Sequence, residues 1–377
     1  MASYKEIFGT NIEVLASDPA NPVTGQVWYN STDNVVKGAA ATTAGSWATG
    51  GDLNKARRII TGAGQSTQDA GLVFGGLPTG GDTEAYNGSS WTELNNMSTS
   101  VYGRGGAGTQ TSALAFGGAP PSSGVANTES WNGTSWTEVN DLGTARYIIA
   151  GAGTQTSALG SSGYLAPGRQ LNESWNGTSW TEVGDLNTSA RNRGGVGIDN
   201  TSALVFGGRL DPDAYSGIVE SWNGTSWTEV NDLNNGRYQL TGTGTNTSAL
   251  FFGGDASGPG GPPTAGETES WNGTSWTEVN DLNTGRQSSG GAGTDNTSAL
   301  AFGGNDGGTP GYSAATELWN GVSWAETTDL NTGRMYLAGD GTATAALAFG
   351  GDIGPSRTGA TEEWNLPSTT TRTISTD

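Results

Sequence analysis

The 377-residue chain carries 36 Asp and Glu against 16 Lys and Arg, and it has neither histidine nor cysteine. That excludes a thiolate nucleophile, an imidazole general base, a disulfide and any metal centre built on nitrogen or sulfur ligands. Carboxylates are left as the acid–base candidates. Glycoside hydrolysis needs two of them about 5–10 Å apart in unlike surroundings. The conspicuous glutamates here are Glu84, Glu129, Glu173, Glu220, Glu269 and Glu317, with Glu362 or Glu363 last, and they recur in one repeated phrase. A group copied into every repeat reads as scaffold, so no catalytic residue is expected. Acidic, glycine-rich stretches at 211–213 and 305–308 offer oxygen ligands of the kind Ca2+ takes. They lack a full ligand string, so no metal and no cofactor is expected. What remains is noncovalent recognition. The candidates are Tyr164, Tyr215 and Tyr312 with Arg169, Arg209 and Asp306, which fall where the repeats differ from one another. Tyrosine offers a ring face and a hydroxyl, and arginine a planar set of donors.

These residues need a frame, and tryptophan gives its period. Trp47, Trp91, Trp136, Trp180, Trp227, Trp276 and Trp324 are spaced by 44–49 residues. The unit reads best at 269–304, ESWNGTSWTEVNDLNTGRQSSGGAGTDNTSALAFGG. A period of about 40–50 residues made of short strands predicts a propeller, because one unit alone buries neither of its faces. In the unit starting at Arg237, a glycine-rich stretch (238–245) leads to an apolar one (248–252) ending in Gly253 and Gly254. A variable loop follows, then 268–271 and 275–279 around an Asn-Gly turn. This predicts a four-stranded meander with the glycine-rich strand innermost, where sheets crowd together. Asn132, Asn176, Asn223 and Asn272 match a glycosylation sequon but are read as turns. Aromatic pairs across the last two strands are expected at 131/136, 175/180, 222/227, 271/276 and 319/324, and at Tyr86 with Trp91. The tryptophans are assigned to packing between sheets.

A meander also sorts its loops. The first and third connections share one face and carry near-identical turns. The second connections, 6 to 13 residues long, share the other face with the links between units. Variation on a rigid frame is how loops carry recognition, and all six candidate residues lie on this variable face. Arg57, Arg146, Arg237, Arg286 and Arg334 end the links and are expected to clamp loop carbonyls or a nearby Asp of the same link (Asp141, Asp185, Asp232, Asp281, Asp329).

The order of apolar strand, Gly-Gly doublet, Glu before an aromatic, spaced Trp and Arg resembles the kelch repeat over about residues 47–365. The doublets are at 75–76, 117–118, 207–208, 253–254, 303–304 and 350–351. The resemblance implies an all-β, seven-bladed β-propeller of four-stranded antiparallel blades. Two units depart from it at the Arg position, which holds Val101 and Ala190 with Arg104 and Arg191 close by. The unit with SALGSSG at 157–163 lacks the doublet, and a distorted blade is expected there. The last unit has no outer strand, whereas 44–53 is an outer strand with no inner three before it. An N-terminal strand near 46–50 is therefore expected to complete the last blade and close the ring. The division that follows is 1–43 as an N-terminal segment with a β-hairpin (27–30 with 34–38), 44–366 as the propeller and 367–377 as a tail.

The formal charge of −20 supplies no basic patch for nucleic acid, and no apolar run is long enough for membrane insertion. The first residues lack the core of a signal peptide, so synthesis in a host cytoplasm is expected. The segment DPANPVTGQVWYNSTDNVVKG is similar to N-terminal stretches of bacteriophage tail-fibre and other virion-surface proteins, especially of marine phages, which also carry WNGTSW repeats. That resemblance implies a non-enzymatic virion-surface protein in many copies, docked on other virion proteins. Its variable face would take a host-surface glycan or receptor, weak binding per copy being reinforced by number. The alternatives are a purely structural capsid or tail decoration protein and a glycan-degrading enzyme.

Overall fold

The computed structural model describes residues 12–19, 26–40, 45–78, 80–120, 123–164, 170–210, 214–256, 264–367 and 370–374, and among these there are strands and turns but no helix. The chain forms two compact units, Trp47–Trp364 and a smaller one from Met1–Ser46 with Asn365–Asp377.

Among the described residues the larger unit holds seven four-stranded antiparallel sheets. Six are meanders of consecutive chain. In the fifth, Thr241–Gly244, Ala249–Phe252, Thr268–Trp271 and Trp276–Val279 follow one another from inside to outside. The seventh is assembled from both ends of the unit. Ala338–Gly341, Ala345–Phe349 and Thr361–Asn365 take Ser46–Thr49 as their fourth strand, at the place the sequence reading gives it. The Gly50 and Leu53 amides donate to the Thr361 and Gly359 carbonyls, and Asp52 Oδ1 accepts the Thr361 amide.

Each strand has its own physical reason. The second is apolar at nearly every position and buried throughout, as in Ala249–Phe252, because sheets lie against both of its faces. The inner strand is glycine-rich because neighbouring sheets approach most closely there. A Cβ on Gly106 would stand 2.5 Å from the Gly62 carbonyl oxygen of the preceding sheet. The outer hairpin turns at Asn-Gly. Asn132 Oδ1 accepts the Thr134 and Ser135 amides, and Gly133 takes a φ of 90°. Asn176, Asn223 and Asn272 do the same, so the sequon-like sites are turns.

The tryptophans tie sheet to sheet. Trp131, Trp175, Trp222, Trp271, Trp319 and Trp364 are fully buried and donate to a carbonyl in the first turn of their own sheet. Their cross-strand partners reach to the sheet before. Trp47, Trp91, Trp136, Trp180 and Trp324 donate to the hydroxyls of Thr316, Thr361, Thr83, Thr128 and Thr268. Trp227 and Trp276 make no such bond, and the facing positions hold Asn172 and Val219 in place of threonine. First and last sheets are bonded too: Trp91 to Thr361, Gln68 Nε2 to the Trp364 carbonyl (2.6 Å), and Tyr86 to Glu363. The third sheet is not distorted. Ser157–Ser161 pairs in full register, and Ser162 and Gly163 (φ 60° and 125°) supply the turn that Gly-Gly makes elsewhere.

The smaller unit is one sheet. Glu13–Leu15 runs parallel to Val27–Asn30, which forms the expected hairpin with Val35–Ala40. Thr370–Thr373 pairs with Val35–Ala40, so the C-terminal residues join this sheet and are not a separate tail. Trp28 is fully buried, and Asp18 accepts from Trp28 Nε1, Asn30 Nδ2 and Lys37 Nζ. The bonds from Lys37 and Asn30 hold the Asp18 carboxyl below its ordinary range.

Candidate functional site

The links that end in arginine are the foundation of the variable face. Arg57, Arg146, Arg237, Arg286 and Arg334 are wholly buried. Each guanidinium meets the glutamate of its own sheet: Arg57 with Glu84 at 2.7 Å, Arg237 with Glu269 at 2.8 Å, Arg286 with Glu317 at 2.5 Å, Arg334 with Glu362 at 3.2 Å, and Arg146 with Glu173. Arg104 serves Glu129 in the second sheet. In the fourth it is Arg193 that pairs with Glu220, at 2.9 Å, and not Arg191. The arginines do bond loop carbonyls, such as Asp82 and Ala315, but their charged partner is the glutamate and not the link aspartate. The other glutamate oxygen accepts a link amide, as Glu84 does from Asn54 and Glu317 from Asn283. Asp141, Asp281 and Asp329 instead accept the amides of Thr128, Thr268 and Thr316. Burial lowers the pKa values of Arg57, Arg104, Arg193, Arg237, Arg286 and Arg334, that of Arg104 to about 10, which leaves Arg104 charged at neutral pH.

Two residues beyond the Arg position, every link adopts the same left-handed turn. Its seven occupants are Ile59, Gly103, Ile148, Asn192, Gln239, Ser288 and Tyr336, with φ between 51° and 63°. Left-handed backbone costs roughly 1–2 kcal/mol for an ordinary L-residue, and a β-branched one there is an outlier. Only one of the seven positions uses glycine. Backbone bonds join neighbours in the series: Ile148 N–H to Gly103 O (2.7 Å), Ser288 to Gln239 and Tyr336 to Ser288 (both 3.1 Å). Gln239 Nε2 also reaches Tyr336 Oη at 3.4 Å. Together they line a bowl of 420 Å3 whose walls include Ile60, Ile149, Leu240 and Leu337. A concave, mostly apolar pocket with a few polar groups is the usual form of a small-ligand site.

Aromatic and cationic groups surround the bowl. One cluster runs from Tyr102 through Tyr147 to Tyr164, with ring centroids 6.2 and 5.1 Å apart, and Arg191 lies 5.9 Å over the Tyr164 ring. In a second, Arg209 lies 5.8 Å over both Tyr215 and Tyr238, whose centroids are 4.9 Å apart. In a third, Arg58 lies 5.9 Å over Tyr336 and 2.5 Å from Asp352. Burial raises the pKa of Tyr147, and burial with Asp255 raises that of Tyr238 to about 12, so both hydroxyls keep their proton at neutral pH.

Three of the six sequence candidates, Tyr164, Arg209 and Tyr215, are therefore brought into these clusters. Tyr312 bridges to Asn305 and Asp306 caps the Gly308 amide, both within the sixth sheet's own loop. Arg169 lies outside the described residues, as do 211–213. The 305–308 stretch is a turn in which Asn305 Oδ1 accepts the Gly307 amide, and no cluster of three or more acidic ligands occurs among the described residues. The left-handed series and Tyr102, Tyr147, Tyr238, Tyr336 and Arg58 are absent from the sequence reading. Their signal was there: the two residues after the Arg position differ in every unit, while the NDLNTGR stretch before them repeats.

No family model matches the chain, and no curated protein matches it in sequence. Among solved structures it is similar to one described as the structure of YjhT, a β-propeller-like fold, with a TM-score of 0.55 and 14% identity over 85% of this chain and 99% of that one. The chain has an all-β, β-propeller fold. At that identity the likeness extends to the fold and no further. The sheets of the larger unit are thus those of a β-propeller fold, and the bowl and its tyrosine clusters lie where the inner links between sheets meet.

Proposed function

We propose that the protein is a closed, seven-bladed propeller of kelch type on the surface of a bacteriophage particle, where the bowl and its tyrosine–arginine clusters hold a host-surface glycan without cleaving it. The seven-membered ring is supported by the bonds between the first and last blades and by the seventh blade's use of Ser46–Thr49. The kelch type is supported by the Arg–Glu pair and the Gly-Gly turns, and the phage setting by the N-terminal resemblance.

One observation carries the binding reading. Strained left-handed backbone is spent on side chains that differ at nearly every copy, in a chain that otherwise repeats itself. Strain of this kind concentrates at functional sites. Tyrosine rings give stacking faces for sugar rings, and the arginine and amide groups supply donors to hydroxyls. Beside the tyrosine clusters, the Asp255 carboxylate is bonded to Tyr238 and that of Asp352 is ion-paired to Arg58.

The test is adsorption. Particles carrying Tyr215→Ala with Tyr238→Ala are expected to assemble normally and to bind host cells about tenfold less well, the loss of one good stacking contact. Unchanged adsorption would assign the protein a decoration role. Release of reducing sugar from host polysaccharide by the purified protein would make it an enzyme instead.

A further inference from the structure

A second cavity, of 260 Å3, lies on the axis just beyond the bowl along the same inner strands. At this level each inner strand reads Gly-x-Gly. The middle residue is alanine or valine in five blades (63, 107, 152, 196 and 292), Thr243 in the fifth blade and Asp340 in the seventh. Asp340 is 9% exposed and its carboxylate makes no hydrogen bond. It leans over Gly62 of the first blade, where a Cβ would stand 3.7 Å from Oδ1. Thr243 Oγ1 and Ser66 Oγ, on the wall of the same cavity, are buried and unpartnered as well. Among the described residues lining it, Asp340 is the only titratable one. Gln65 crosses the ring at one end, its Nε2 bonding the carbonyls of Gly153 (3.2 Å) and Ile198 (3.3 Å) in the third and fourth blades.

A buried carboxylate without a partner is strongly unfavourable, and burial alone pushes this one up to about 7. A cation relieves the cost directly. The available ligands are all oxygen, which selects hard ions. A lone carboxylate suits an ion that keeps most of its water, and at about 30 Å3 per water the cavity has room for the shell. We infer that the axial cavity holds a hydrated hard divalent cation of the Mg2+ or Ca2+ class, with Asp340 as its charged ligand and the Thr243 and Ser66 hydroxyls facing its water shell. This site breaks the sevenfold pattern once, at the junction of the last and first blades, and the ion would fasten that junction.

The test uses the full chain, stripped with EDTA and returned to buffer of constant ionic strength at pH 8. Calorimetric titration with MgCl2 and CaCl2 is expected to show saturable binding of about one ion per chain. The melting temperature should rise by about 2–4 °C near saturation. Asp340→Asn should lose both responses while melting, without metal, at or above the wild-type temperature. Thr243→Val should weaken binding several-fold without lowering the metal-free melt, which keeps the test informative if Asp340→Asn fails to fold. Absence of saturable binding by the folded wild type, or equal binding by Asp340→Asn, would overturn the inference in favour of water alone.

Discussion

Trp136 bonds Thr83 of the preceding blade, Trp180 bonds Thr128 and Trp324 bonds Thr268, whereas near the axis Ile59, Gly103, Asn192 and Tyr336 fill one backbone position with unlike chemistries. In the outer part of the blades a single solution to packing is copied, the Trp–Thr bond recurring in five of the sheets. Around the bowl the backbone is copied just as faithfully, yet the side chains are not. Packing explains the first region. It does not explain why left-handed turns carry isoleucine and tyrosine where glycine would be cheaper. In this molecule repetition marks the frame, and departures from repetition mark the bowl for which we propose a binding role.

The contrast can be broken most severely at the frame. Glu317→Ala would leave Arg286 buried without its ion-pair partner and should cost about 3–5 kcal/mol in denaturant unfolding. Replacing both partners by apolar residues of similar volume should recover most of that loss. A cost below about 1 kcal/mol for the single change would mean that the pair does not hold the link. Asp340 supplies the next effect. Its folded pKa of about 7 lies above the ordinary carboxylate value of 3.8. The folded state therefore binds the extra proton, and stability is fully present below pH 4 and is lost as pH rises through 7. Without divalent cations, wild-type stability should fall across that window relative to Asp340→Asn, and a parallel pair of pH profiles would contradict the assignment.

Smaller changes sharpen the comparison. Ile148→Gly removes a β-branched residue from a φ of 53° and should leave stability unchanged or raise it by up to about 1 kcal/mol, while lowering ligand affinity. A marked loss of stability would make Ile148 a frame residue. The smallest effect lies at the two missing locks. Val219→Thr offers Trp276 Nε1 the acceptor that other blades have, and should stabilise by about 0.5–1 kcal/mol in thermal melts. The same substitution at Val205, where no donor waits, should destabilise.

The frame was legible in the sequence because its signals are periodic. Tryptophan spacing, Asn-Gly turns and glycine-rich strands each report one repeated contact, and the outer strand at Ser46–Thr49 followed from counting what the last unit lacked. Two features misled. A missing Gly-Gly suggested distortion at 157–163, but Ser162 reaches the left-handed region and Gly163 completes the turn. Arg191 seemed nearest to the vacant Arg position, yet Arg193 is the one whose side chain reaches Glu220, because the arginine has moved to the start of the inner strand. The site was only half legible. Variable loops pointed to the face that carries the tyrosine–arginine clusters and to three of their members, Tyr164, Arg209 and Tyr215. They did not point to the bowl, since its residues sit in short links of constant length whose common backbone turn is a three-dimensional property. Asp340 was hidden for a related reason: one acidic residue among 36 is noticed only when seven inner strands are superposed.

The sharpest measurement compares the two faces against one ligand. Surface polysaccharide extracted from the host would be titrated calorimetrically into three proteins: wild type, a bowl-face variant (Tyr147→Ala with Tyr238→Ala) and a turn-face variant (Thr134→Ala with Thr274→Ala). The expected result is loss of at least about tenfold in affinity for the bowl-face variant alone, with all three melting alike. Equal affinities in the two variants, or a loss confined to the turn face, would contradict a recognition site at the bowl.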